Sequence, residues 1–141
     1  MTAAPVPRRA AQIMPWLLVS YAAASLLHFA HNAEHLLQYP NLPASWSRAD
    51  IYLAWCCVTA VGLLGYVLCR AGFLRTGLTA LAIYGALGFG GLLHYTRAPI
   101  SHHSAIMNFT IWIEVACAAA FLISVASTAV RQVGPNATTA A

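Results

Sequence analysis

The chain has 141 residues, 60% of them hydrophobic and only 7% charged, against about 25% charged in ordinary soluble domains. That composition excludes a soluble globular domain and places the chain in the membrane class. Its formal net charge of +4 comes from seven arginines, scattered singly or in pairs, against three acids, Glu34, Asp50 and Glu114; with no basic stripe or basic helix, nucleic acid is not expected as a partner.

Residues 1–12 are small, polar or proline-bearing and are expected to form a disordered cytoplasmic N-terminus. The first apolar run, 13–38, is long enough to cross a bilayer, which takes about 20 helical residues. Arg8-Arg9 before it and Ala22-x-Ala24 within it have the outline of a cleaved leader, but the apolar pattern continues well past Ala24, so a retained span is expected. The loop Tyr39–Asp50 holds two prolines and ends in Ser47-x-x-Asp50, a capping signal for the next helix. A second span is placed at 51–70, a short polar turn at 70–75 and a third span at 75–95. Residues 96–104 hold Pro99 and serines suited to capping a fourth span at 104–127. A disordered cytoplasmic tail is expected over 128–141. Cys56, Cys57, Cys69 and Cys117 lie in apolar runs with no C-x-x-C, and read as buried thiols packing as small hydrophobes.

Loops this short between sequential helices predict an all-α integral membrane protein, an antiparallel up-down four-transmembrane-helix bundle. With the N-terminus inside, Arg8, Arg9, Arg70, Arg75 and Arg131 are internal, and Arg48 and Arg97 external. The positive-inside rule therefore predicts cytoplasmic termini in a bacterial-type inner membrane. Trp16, Trp46 and Trp55 suit interfacial belts.

This topology places all six histidines, His28, His31, His35, His94, His102 and His103, in the outer half. Polar or small residues recur at helical spacing as Tyr21, Ser25, His28, Asn32 and His35 in span one, with His31 on the flank. Span two gives Tyr52, Cys56, Thr59 and Tyr66; span three Tyr84, Gly88, Gly91 and Tyr95; span four His103, Met107, Thr110, Glu114 and Cys117. Each helix thus has an inward stripe, and the glycines of span three allow close packing. At about 1.5 Å per residue, His28 and Glu114 each lie roughly 15 Å below the outer surface and are expected to meet. A carboxylate at that depth must be paired or protonated.

Several chemistries fit these residues. A transition metal (zinc, copper or iron) could bind His31 and His35, one turn apart, with His94 or His103 from other helices. His31-Asn-Ala-Glu34-His35 also spells H-x-x-E-H, the string of inverzincin peptidases. Glu34 points about 100° of helix away from His35, so the string implies local zinc-plus-base chemistry rather than a peptidase. A b-type haem could be held by His28 or His31 with His94, Gly90 and Gly91 making room, and would pass electrons to a quinone. Metal-free acid–base catalysis on an apolar substrate would use Glu114 and His28, with Glu34 as a further proton-handling residue. Tyr21, Tyr84 and Trp112 could bound its pocket. In that outline, with an acid inside a short bundle, the chain resembles the small emopamil-binding and sigma-2 membrane proteins. Finally, a structural subunit of a homo-oligomer or larger membrane complex would use the polar stripe only as helix glue. The leading expectation is a histidine-rich metal pocket, open toward the outer side and catalytic on an apolar substrate.

Overall fold

The computed structural model describes residues 8–133, with side chains for 13–132. Five helices and three short 3-10 segments account for most of it, with no strand among the described residues. The helices are α1 (Arg8–Glu34), α2 (Arg48–Arg70), α3 (Leu74–Leu87), α4 (His94–Arg97) and α5 (Ala105–Val133). A 3-10 segment, Gly88–Leu93, joins α3 to α4, so the two act as one long rod. Four stretches, Ile13–Glu34, Arg48–Arg70, Leu74–Arg97 and Ala105–Gln132, are long and apolar enough to cross a membrane. Helix α1 starts before residue 13 and α5 runs beyond 127, so helix takes in the inner margins of the two expected tails; the remainder of those tails lies outside the described residues.

Local signals explain where the helices stop. Pro40 disfavours helical backbone at Tyr39, which is extended (φ −76°, ψ 122°), so the chain leaves α1 through the 3-10 turn Leu36–Gln38. Pro99 does the same to Ala98 (φ −154°, ψ 150°) and ends α4. Ser47 and Asp50 form the expected capping box on α2: the Ser47 N–H donates to Asp50 Oδ2 at 2.9 Å, and the Asp50 N–H donates to Ser47 Oγ at 3.3 Å. Ser104 receives the Met107 N–H at 3.3 Å and opens α5. Gly72, at φ +91°, supplies the left-handed step that turns the chain from α2 into α3.

Helix α1 packs against α2 and α5, and α3 packs against the same two. Helices α2 and α3 approach most closely: a Cβ at Gly77 would fall 2.7 Å from the Cys69 backbone nitrogen and 2.8 Å from the Gly65 carbonyl oxygen. Further along, a Cβ at Gly62 would meet the Tyr84 ring at 2.5 Å. Glycine at 77 lets backbone lie on backbone; of the glycines expected to pack closely, Gly85, Gly88 and Gly91 do lie against neighbours, whereas a Cβ at Gly90 would meet nothing within 4 Å. The core is an aromatic trio: Tyr21 and Tyr84 ring centroids are 4.4 Å apart, and each lies 5.9 Å from Phe121. Leu18, Leu78, Leu81 and Val125 close around the trio. The Tyr21 hydroxyl donates to the Tyr84 carbonyl at 3.0 Å, tying α1 to α3. The outer surface remains apolar, with Trp16, Leu53, Val67, Ile83, Ile123 and Val130 all exposed.

Candidate functional site: a buried histidine–carboxylate cluster

The expensive side chains gather between α1, α4 and α5. His28 and Glu114 are 3% and 2% exposed, and His28 Nε2 faces Glu114 Oε2 at 3.8 Å. The Thr110 hydroxyl donates to the Met107 carbonyl at 3.0 Å, which leaves its lone pairs to accept from His28 Nδ1 at 3.4 Å. With the proton on Nδ1, His28 turns the Nε2 lone pair toward the carboxyl oxygen. Two lone pairs facing each other are repulsive unless a positive charge or a proton lies between them. Gly91 makes room for the meeting: a Cβ there would sit 3.3 Å from Glu114 Oε2 and 3.6 Å from His28 Nε2. Ser25 lies beside the carboxyl without a hydrogen bond to it.

Above this pair the rings form a chain. His94 lies 5.4 Å from His28, edge to face, and His103 lies 6.2 Å from His94. His103 places Nδ1 3.1 Å from the Pro99 carbonyl oxygen. A carbonyl only accepts, so Nδ1 carries the hydrogen and Nε2 keeps a lone pair; that atom is buried and has no partner. Asn32 Nδ2 donates to His94 Nε2 at 3.4 Å. Tyr39 closes the cluster from the loop after α1. Its ring is 4.9 Å from His94, and its hydroxyl pairs with His31 Nδ1 at 2.9 Å. Burial pushes the Tyr39 phenol up from its ordinary value to about 12. The loop itself is anchored by Asn41, at φ +55°, whose side chain donates to the Arg97 carbonyl at 2.8 Å. Asn108 holds the 98–104 loop by donating to the carbonyls of Ile100 and His103, both at 3.2 Å, and accepts the Tyr95 hydroxyl at 2.8 Å.

The structure brings together His28, Glu114, His94 and His103 and leaves the other expected site residues apart from them. Glu34 is taken by the start of α2: it pairs with Arg48 at 2.6 Å and accepts the Tyr52 hydroxyl at 2.8 Å, at a largely exposed site. His31 and His35 stack on each other at 4.6 Å, but His31 Nδ1 is committed to Tyr39 and His35 stands beyond the end of α1. The expected set His31, His35, His94 and His103 is thus divided by Tyr39, and no group of three or more His, Cys, Asp or Glu among the described residues is arranged to hold a metal ion. For the expected haem ligands, His28 and His94 are in direct edge contact, with no gap for a macrocycle between their rings. Trp112 stacks on Tyr95 at 6.2 Å and is half exposed, so it is separate from the Tyr21–Tyr84 core.

Tyr39 was not anticipated as a site residue. The signal was available: it continues the stripe His28, Asn32, His35 by four further residues, but the intervening chain is no longer α-helical. No family model, curated protein or solved structure matches the chain.

Proposed function

We propose that the chain is a small integral membrane protein, an up-down four-span bundle of a bacterial-type inner membrane with cytoplasmic termini, whose buried histidine–carboxylate pocket performs acid–base chemistry on an apolar, lipid-borne substrate. The order of contacts between α2 and α3 supports the up-down path, because Cys69, Gly65 and Gly62 meet Gly77, Leu81 and Tyr84 in reverse sequence. The arginine bias supports the orientation. One observation carries the chemistry: His28 Nε2 and Glu114 Oε2 face each other at 3.8 Å, both buried, close enough for a proton on either group to stabilise the other. A proton held between two groups by a low-dielectric surrounding is the working part of a general acid–base pair. His94, Asn32, Tyr39 and His31 form a polar line from that pair to the loop 39–47.

The test is infrared titration of the protein in lipid vesicles. The Glu114 carboxyl signal, identified by its disappearance in Glu114→Gln, should change its titration midpoint in His28→Asn. A midpoint that His28→Asn leaves in place separates the two groups and removes the reading. If the cluster were only helix glue within a larger complex, His28→Asn would lower thermal stability without moving that midpoint.

A second reading, a transition-metal pocket for zinc, copper or iron, is favoured by His103. Its buried Nε2 lone pair is fixed by an Nδ1 hydrogen bond to a backbone carbonyl, the arrangement that orients metal-ligating histidines. His103 would be the anchoring ligand, in place of His31 and His35; His94 and His28 are not arranged around a common point with it and would have to turn their rings to join it. Stoichiometric metal in detergent-purified protein that is lost in His103→Ala would favour it. Metal content that is trace and unchanged by that substitution returns the pocket to proton chemistry.

A further inference from the structure

A second set of unsatisfied polar atoms lies on the other side of the core, between α2 and α3. Three side-chain groups there are covered by protein and make no hydrogen bond: Trp55 Nε1, Thr59 Oγ1 and Tyr84 OH. Trp55 and Thr59 are four residues apart and share one face of α2. The Tyr84 ring lies over Gly62, where the missing side chain admits it, and its hydroxyl approaches Thr59 without bonding to it. Tyr84 is fully buried, whereas Trp55 and Thr59 are half-buried on a helix that is otherwise largely exposed and apolar. Leaving a buried donor unmatched costs more than a made hydrogen bond contributes, so these groups call for an acceptor.

We propose that Trp55, Thr59 and Tyr84 form the headgroup site for an apolar, carbonyl-bearing molecule, a quinone or other lipid-borne ketone, that enters sideways from the bilayer beside α2. The donor inventory selects the carbonyl. An indole N–H only donates, and the hydroxyls of Thr59 and Tyr84 can donate as well as accept, so a guest with acceptor lone pairs is the one all three can serve. The apolar surface of α2 around them, including Leu53 and Leu63, suits a hydrocarbon or isoprenoid body. The site goes beyond the acid–base reading, because it lies across the core from His28 and Glu114. Binding depends on α2 and α3 and stands without His28 or Glu114.

The experiment uses the full chain in lipid vesicles, with decyl-benzoquinone as the probe and intrinsic tryptophan fluorescence as the readout. Saturable quenching is expected, with the saturable part lost in Trp55→Phe while Trp16, Trp46 and Trp112 still emit. Thr59→Val, which keeps the side-chain shape, should weaken apparent affinity about tenfold, the loss of one well-made hydrogen bond in a buried site. The matching hydroquinone, which lacks the carbonyls, should compete poorly. Glu114→Gln should leave the affinity unchanged, so a failed titration coupling at His28 and a failed binding site give different results. Quenching that rises without saturation, or that Thr59→Val and Trp55→Phe leave unaltered, overturns the site and assigns the three donors to water. Far-UV circular dichroism and gel-filtration profiles matching wild type identify the variants as folded.

Discussion

At the scale of single residues, the cluster is governed by which atoms hold protons. His28 and His103 each spend Nδ1 on a fixed acceptor, Thr110 Oγ1 and the Pro99 carbonyl. Thr110→Val should therefore release the His28 tautomer and broaden the Glu114 infrared signal, while leaving the helix content measured by circular dichroism unchanged. Tyr39 gives a pH prediction with a definite sign. Its phenol ionises near pH 12 in the folded protein, against about 10 in an unfolded chain. Between those values the folded form keeps a proton that the unfolded form has lost, so stability is full below pH 10 and declines as pH rises toward 12. The wild-type minus Tyr39→Phe ultraviolet difference titration should show one phenol ionising late; ionisation near pH 10 would place Tyr39 in water. The meeting of His28 and Glu114 was legible in the sequence because helical rise converts residue counts into depth. The position of Tyr39 was not, because a 3-10 turn followed by Tyr-Pro has no period to extrapolate.

At the scale of elements, the tightest joint is α2 against α3. Gly77→Ala inserts a Cβ 2.7 Å from the Cys69 nitrogen and 2.8 Å from the Gly65 carbonyl oxygen, and neither backbone atom can rotate away. The helices must separate, at a cost of about 1–3 kcal/mol. Thermal melts in detergent should show a midpoint lowered by several degrees for Gly77→Ala, against no change for Gly90→Ala, where a Cβ meets nothing within 4 Å. An equal response at both glycines would remove the joint. Four apolar runs, their approximate limits and the capping box at Ser47 and Asp50 could all be read from the sequence, because hydropathy and cap chemistry are local. The 3-10 stretch Gly88–Leu93 could not: the glycines signalled close packing, and nothing local distinguishes the tighter winding from ordinary helix. The loss of Glu34 to Arg48 and Tyr52 was hidden for a similar reason, since it depends on how a loop folds back.

At the scale of the whole molecule, the proposed topology puts the 39–47 loop and the α2–α3 turn on opposite faces of the bilayer. In a cysteine-free background, Ala44→Cys should react with a membrane-impermeant maleimide from outside intact cells, and Phe73→Cys only after permeabilisation. Both positions are exposed, so accessibility is limited by the membrane alone. Labelling of both from the same side would refute the up-down path. The winding between α3 and α4 also has a mechanical consequence for the assembled bundle. Six residues wound at three per turn accumulate about 120° more rotation, and roughly 3 Å more advance, than the same six wound at 3.6. The imidazole of His94 stands at the end of that stretch like a pointer on a twisted shaft. Unwinding the segment to the commoner pitch would swing the pointer a third of a revolution away from His28, so six glycine-rich residues decide whether the ring chain is connected or broken.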